Sequence, residues 1–207
     1  MKVTSDWKIA VMDFIRREAL PVDKYGHQPR LATLAESLAD CPELSRRCDP
    51  DVLFAAAWMH DLGVFTDHRP TDPMQLAAWD HVPYTVARSR ELLSAWGFPA
   101  EKLELVAETI RTHEARYEPT IPESIVLRDA DILEQLGVIG LLRAFVKVGR
   151  DTRYARFSDV VPVVEKARQT LPGQLRLARS RALAAGRIEV MCKFLGELER
   201  EAAGNLH

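Results

Sequence analysis

The 207-residue sequence has no long apolar run. No window approaches the roughly 18 uninterrupted apolar residues that a membrane-spanning helix needs. The N-terminus, Met1 to Asp6, passes into amphipathic sequence without the apolar core of a secretory signal. Cysteine is scarce: Cys41, Cys48 and Cys192 cannot make a full disulfide set, and their spacing matches no common zinc framework. Reduced thiols in a cytoplasm are therefore expected. Charge of one sign is missing too, since 28 basic residues face 30 acidic ones for a formal net charge of −2. That balance leaves no global electrostatic footprint for nucleic acid or an anionic membrane, and neither is expected as a partner. Internal repeats, low-complexity tracts, Gly/Ser linkers and strand-type alternation are all absent.

What is present is helical periodicity in nearly every segment, on a composition of 47% hydrophobic and 28% charged residues that suits a packed core. The expected fold class is all-α, with at least six helices and no sheet beyond an incidental hairpin. Residues 6–18 place Trp7, Val11, Phe14 and Ile15 on one side, with Asp6 as the candidate cap. Pro21 breaks that pattern. A second helix over about 24–40 carries His27, Leu31, Leu34 and Leu38 at i, i+4, i+7 and i+11. Asp49-Pro50 is a strong helix start, because an acidic cap and a first-turn proline suit free N–H groups. From there Leu53, Ala56, Ala57 and His60 share a face, and Gly63 is expected to end the helix in the left-handed conformation. His60 and Asp61 thus fall in its last turn.

Pro73 and Pro83 read as helix starts or kinks, and Val86, Leu92, Leu93 and Trp96 belong to a helix ending at Gly97. A helix over about 99–114 stacks Leu103, Val106, Ile110 and His113. Residues 123–136 form another that ends at Gly137, followed by a short apolar one over 138–148. The segment 149–161 carries the weakest pattern. The tail from Pro172 to Glu201 reads as one or two long helices serving packing or a homodimer.

Four of the six histidines, His27, His60, His81 and His113, lie on or beside apolar faces, and Asp61 follows His60 directly. One such histidine is usually a satisfied core residue. Four together with aspartates are another matter: imidazoles and carboxylates are the ligand set of a metal that keeps open positions for water. A cation also offsets the cost of inward-facing Asp61 and Asp131.

The order of these residues resembles the HD superfamily of metal-dependent phosphohydrolases. The motifs are Tyr25-Gly26-His27-Gln28-Pro29-Arg30, Trp58-Met59-His60-Asp61-Leu62-Gly63 and Arg128-Asp129-Ala130-Asp131. Arg111-Thr112-His113 precedes the Asp-Ala-Asp segment at the spacing of small predicted HD hydrolases. The resemblance covers about residues 20–150. It implies one HD domain, an all-α bundle over about 20–150, with a helical C-terminal extension over about 151–207. It implies that His27, His60, Asp61 and Asp131 bind a divalent metal (Mn, Mg, Ni or Fe), one or two per chain. His81 and His113 occupy the interval where two-metal relatives carry extra ligands, so they are second-metal candidates or, with Asp61, catalytic groups. Asp129, roughly opposite Asp131 on a helix, is expected to be a solvated charge.

The motif departs from close relatives at Ile132, where they carry an arginine, while Glu134 supplies the following acid. Arg30 and Arg128 are the candidate replacements for that phosphate contact. An acid expected soon after the His-Asp pair is either missing or Asp67. The implied function is hydrolysis of a phosphoester or phosphoanhydride of a small phosphorylated, possibly nucleotide, substrate by a metal-activated water. The alternatives within the resemblance are a di-iron oxygenase cleaving C–C or C–P bonds, and a non-catalytic ligand-binding module.

Overall fold

A computed structural model describes residues 6–114, 116–150 and 153–207, and among these there are ten α-helices and no strand. By internal contacts the chain divides into two compact units, 1–128 and 129–207. The division falls inside a helix, upstream of the extension expected from about residue 151.

In the first unit, α1 (Asp6–Glu18) buries the expected face of Trp7, Val11, Phe14 and Ile15. The second helix, α2 (Asp23–Leu38), buries His27, Leu31 and Leu38 at helical spacing. The third, α3 (Pro50–Met59), begins as its sequence dictates: the Asp49 carboxylate accepts from the N–H groups of Asp51 at 2.9 Å and Val52 at 3.3 Å, with Pro50 in the first turn. It is apolar nearly all round, and it is buried accordingly, with α1, α2 and α6 packed on it. The fully buried Glu123 carboxylate anchors its start, taking both Arg46 Nη atoms at 2.7 and 2.8 Å and the Asp49 N–H at 2.6 Å.

After α3 come 3-10 turns at Leu62–Val64 and Thr66–His68, the short α4 (Pro73–Ala77), α5 (His81–Ala95) and α6 (Leu103–Arg111). Gly97 follows α5 with φ +77°, a left-handed residue where that helix was expected to end. Gly63 is different. It sits inside the turn Leu62–Val64 without a positive φ, and the reason for glycine is close approach. A Cβ there would lie 2.8 Å from the His81 carbonyl oxygen and 3.0 Å from both His81 Cβ and Thr85 Oγ1. Its N–H donates to Thr85 Oγ1 at 3.0 Å, and its carbonyl accepts from Trp79 Nε1 at 2.8 Å. The turn after His60-Asp61 is thereby clasped to the start of α5. Gly63→Ala is expected to force the two apart and to cost about 1–3 kcal/mol, the usual range for overpacking. Urea unfolding checks this; an unchanged midpoint would mean the contact is soft.

The helix α7 (Pro122–Glu134) contains the division between the units, which lies between Arg128 and Asp129. In the second unit α8 (Gly137–Phe145) packs on α9 (Phe157–Thr170) and α10 (Ala178–Ala202). Phe145 stands between Phe157 and Phe194 with ring centroids 6.0 and 5.8 Å away. Asp129 is not the solvated charge expected from its helical position. It is fully buried and accepts from the N–H groups of Arg176 at 3.0 Å and Leu177 at 2.9 Å, where α10 begins. Ile132, where the resemblance implies arginine, is buried as well, in the apolar core of this unit. Among the described residues no helix is long and apolar enough to cross a membrane. Part of the segment 149–161, residues 151 and 152, lies outside the described residues.

Candidate metal centre

Four elements of the first unit bring their histidines together. His27 comes from the buried face of α2, His60 caps the C-terminus of α3, His81 opens α5, and His113 lies just beyond α6. The rings of His27 and His60 lie 5.2 Å apart, those of His60 and His113 5.1 Å, and those of His81 and His113 6.1 Å. Asp61 stands among them, its carboxylate 3.7 Å from His27 Nε2, 3.7 Å from His60 Nε2 and 3.8 Å from His81 Nε2. Two groups of potential ligands result, His27–His60–Asp61 and Asp61–His81–His113, each offering donor atoms within 4.8 Å of one another. Asp61 belongs to both.

The backbone decides which ring nitrogens face inward. His60 Nδ1 lies 3.0 Å from the Ala57 carbonyl and His113 Nδ1 lies 2.6 Å from that of Ile110. A carbonyl only accepts, so Nδ1 carries the hydrogen in both neutral rings and Nε2 presents a lone pair, the arrangement found where imidazole binds metal. His27 and His60 approach Nε2 to Nε2 at 3.3 Å. His81 Nε2 is buried with no hydrogen-bond partner, although Asp61 is its neighbour. Converging nitrogens around a carboxylate, one of them an orphan, fit a divalent cation.

Burial would raise the Asp61 carboxyl, but the favourable electrostatics of the His60 and His27 imidazoles, the Lys24 ammonium and the His81 imidazole outweigh it and hold the group far below the usual carboxylate range. Lys24 was not singled out in the sequence. It lies three residues before His27 on α2 and therefore one turn back on the same face. Glu114 was missed too, although it directly follows His113. Its carboxylate lies 4.0 Å from His81 Nδ1 and pairs with Arg116 Nε at 2.6 Å.

The remaining expectations divide. Asp131 lies on α7 in the second unit, half-buried, and its Oδ2 accepts from Gln135 Nε2 at 3.0 Å. Arg30 is half-buried, with its guanidinium close over Gly26, one turn back. Arg128, expected at phosphate, is 4% exposed, and its guanidinium donates to the Tyr117 carbonyl, which makes it an anchor of the loop after His113. Asp67 is exposed in the turn Thr66–His68 and joins neither ligand group. The three cysteines are free and none joins the groups either; burial pushes the Cys48 thiol up to about 12, that of an inert, protonated sulfur.

Comparison with known proteins gives a family and a fold. The HD domain family matches residues 25–136. Among solved structures, YpgQ of Bacillus subtilis is 24% identical over 94% of this chain and 97% of its own, with a TM-score of 0.67. The same protein in complex with ADP is 22% identical, again over 94% and 97%, with a TM-score of 0.69. An HD-superfamily hydrolase from Bacillus thuringiensis is 17% identical over 94% of this chain and 95% of its own, with a TM-score of 0.66. No curated protein matches the sequence.

Proposed function

This chain belongs to the HD domain family, and we propose that it is a metal-dependent phosphohydrolase acting on a phosphoester or phosphoanhydride bond of a small substrate, a nucleotide among the candidates. The observation that carries this reading is the double ligand set sharing Asp61. His27, His60 and Asp61 would hold one divalent cation; Asp131 is a ligand candidate by its motif position alone. His81 and His113 would hold a second with Asp61. A cation in this setting supplies a water acidic enough to ionise near neutral pH and positive charge against a phosphoryl oxygen. Asp61, kept ionised by its surroundings, accepts a hydrogen bond from the attacking water and fixes its line of approach.

Lys24 provides the phosphate contact in this reading. Its charge already reaches Asp61, whereas Arg128 is committed to the Tyr117 carbonyl. The ADP complex of YpgQ supports a nucleoside phosphate as the first substrate class to test. Lys24→Met should lower kcat/KM by about 10- to 100-fold, the worth of one hydrogen bond to a charged group, with bound metal unchanged. Unaltered kcat/KM would remove Lys24 from the substrate site.

The test of the function is metal analysis of the purified protein, then a phosphate- and pyrophosphate-release screen over nucleotides and simple phosphoesters with Mn, Mg, Ni or Fe added back. Metal-dependent release from at least one substrate is expected. The shared carboxylate also suits a pair of irons, so oxygen uptake without phosphate release would favour the di-iron oxygenase. A chain that bound none of these metals would be a ligand-binding module.

A further inference from the structure

Several described residues at and after Thr112 are anchored by hydrogen bonds and ion pairs. The Thr112 hydroxyl lies 2.8 Å from both the Glu108 carbonyl and the Ser124 hydroxyl. The Tyr117 N–H donates to the Glu114 carbonyl at 3.0 Å, closing a turn. Arg128 donates to the Tyr117 carbonyl from beneath. Arg116 Nη2 reaches both carboxylate oxygens of Asp80 at 3.0 Å, while its Nε pairs with Glu114 at 2.6 Å. Asp80 is itself the cap of α5, accepting from the Val82 N–H at 3.1 Å, and His81 is the first residue of that helix. One guanidinium therefore ties the Glu114 carboxylate to the peptide that carries His81.

The result is an imidazole set between two carboxylates. Asp61 faces His81 Nε2 at 3.8 Å, and Glu114 faces Nδ1 at 4.0 Å. His60 and His113 have backbone carbonyls at Nδ1 instead. A carboxylate behind a metal-binding imidazole favours the hydrogen on its own side, frees the far nitrogen and makes that nitrogen a stronger donor. We propose that Glu114 is a positioning residue for His81: it orients the ring with Nε2 toward Asp61 and strengthens the second cation site, with Arg116 as the clasp that holds it there. The inference rests on the two-cation reading above.

Manganese titration of the full chain tests it, with the two dissociation constants resolved by competition against a chromophoric chelator. Glu114→Gln keeps the shape and the turn but removes the charge. It should weaken one of the two bound ions by about 10- to 100-fold, the usual effect of losing such a partner, and leave the other unchanged. Arg116→Ala should weaken the same ion by less, since the carboxylate remains but is no longer tied. A purely structural role would instead lower the melting temperature and shift both constants together, which would overturn the proposal. Two ions bound with unaltered constants in Glu114→Gln would overturn it while sparing the two-cation reading. A wild-type chain that binds one ion, with an affinity indifferent to His81→Ala, would remove both.

Discussion

Asp61→Ala should yield a folded chain whose metal-dependent turnover is reduced by about 10³-fold or more, the upper range for a single lost stabilising group. The expectation rests on one carboxylate serving both ligand groups. Truncating His27 would weaken only one group; truncating Asp61 weakens both. The fold has little to lose, because Asp61 lies beyond the end of α3 and contributes no apolar surface to its packing. A thermal-shift measurement separates the two effects. A ligand that binds only the folded chain stabilises it by about 2.7 kcal/mol at a hundredfold excess over its dissociation constant. Wild type should therefore gain stability on adding manganese, and Asp61→Ala should not. Wild-type activity in Asp61→Ala under saturating metal would show that the centre lies elsewhere.

The second large effect concerns the number of ions. His81→Ala and His113→Ala should each bring bound metal from about two per chain toward one, with activity falling in step, because paired ions stabilise both the attacking and the leaving oxygen. His27, His60 and Asp61 remain intact in both variants and should retain the first ion. If His81 and His113 act as proton donors instead, metal content stays constant while turnover drops by about 10²- to 10⁴-fold. If they are only core residues, turnover per folded molecule survives. His113 is buried and its removal leaves a cavity, so melting temperature must be measured on the same samples. His81, half-buried at the start of α5, is the cleaner of the two substitutions.

Much of this centre was legible because its signals are local. The Asp49-Pro50 cap starts α3 within one residue of where chemistry requires, and that placement fixes His60 and Asp61 at the end of the same helix. The faces of α1 and α2 follow from spacing alone. What escaped depends on contacts between distant segments. Gly63 read as a helix terminator because the neighbour it accommodates, His81, lies 18 positions away. Asp129 read as solvated because its partners, the amides of Arg176 and Leu177, come from 47 and 48 positions on. The contact of Arg128, a candidate phosphate group in the sequence, with the Tyr117 carbonyl was not legible either, because a buried arginine serving a loop carbonyl has no periodic signature. Glu114 sat beside a residue already singled out, but only the Arg116–Asp80 clasp gives it a direction.

Because a Cβ at position 63 would collide with His81 and Thr85, the turn comes this close to α5 only without a side chain there. A side chain at 63 would push the two apart. A residue that offers no ligand atom thus bears on the spacing of Asp61 from His81, 3.8 Å in this structure. Magnesium requires oxygen contacts of ~2.0–2.1 Å in near-ideal octahedral geometry, whereas larger ions accept longer and looser ones. The cost of widening this gap would therefore fall hardest on the ion with the strictest geometry.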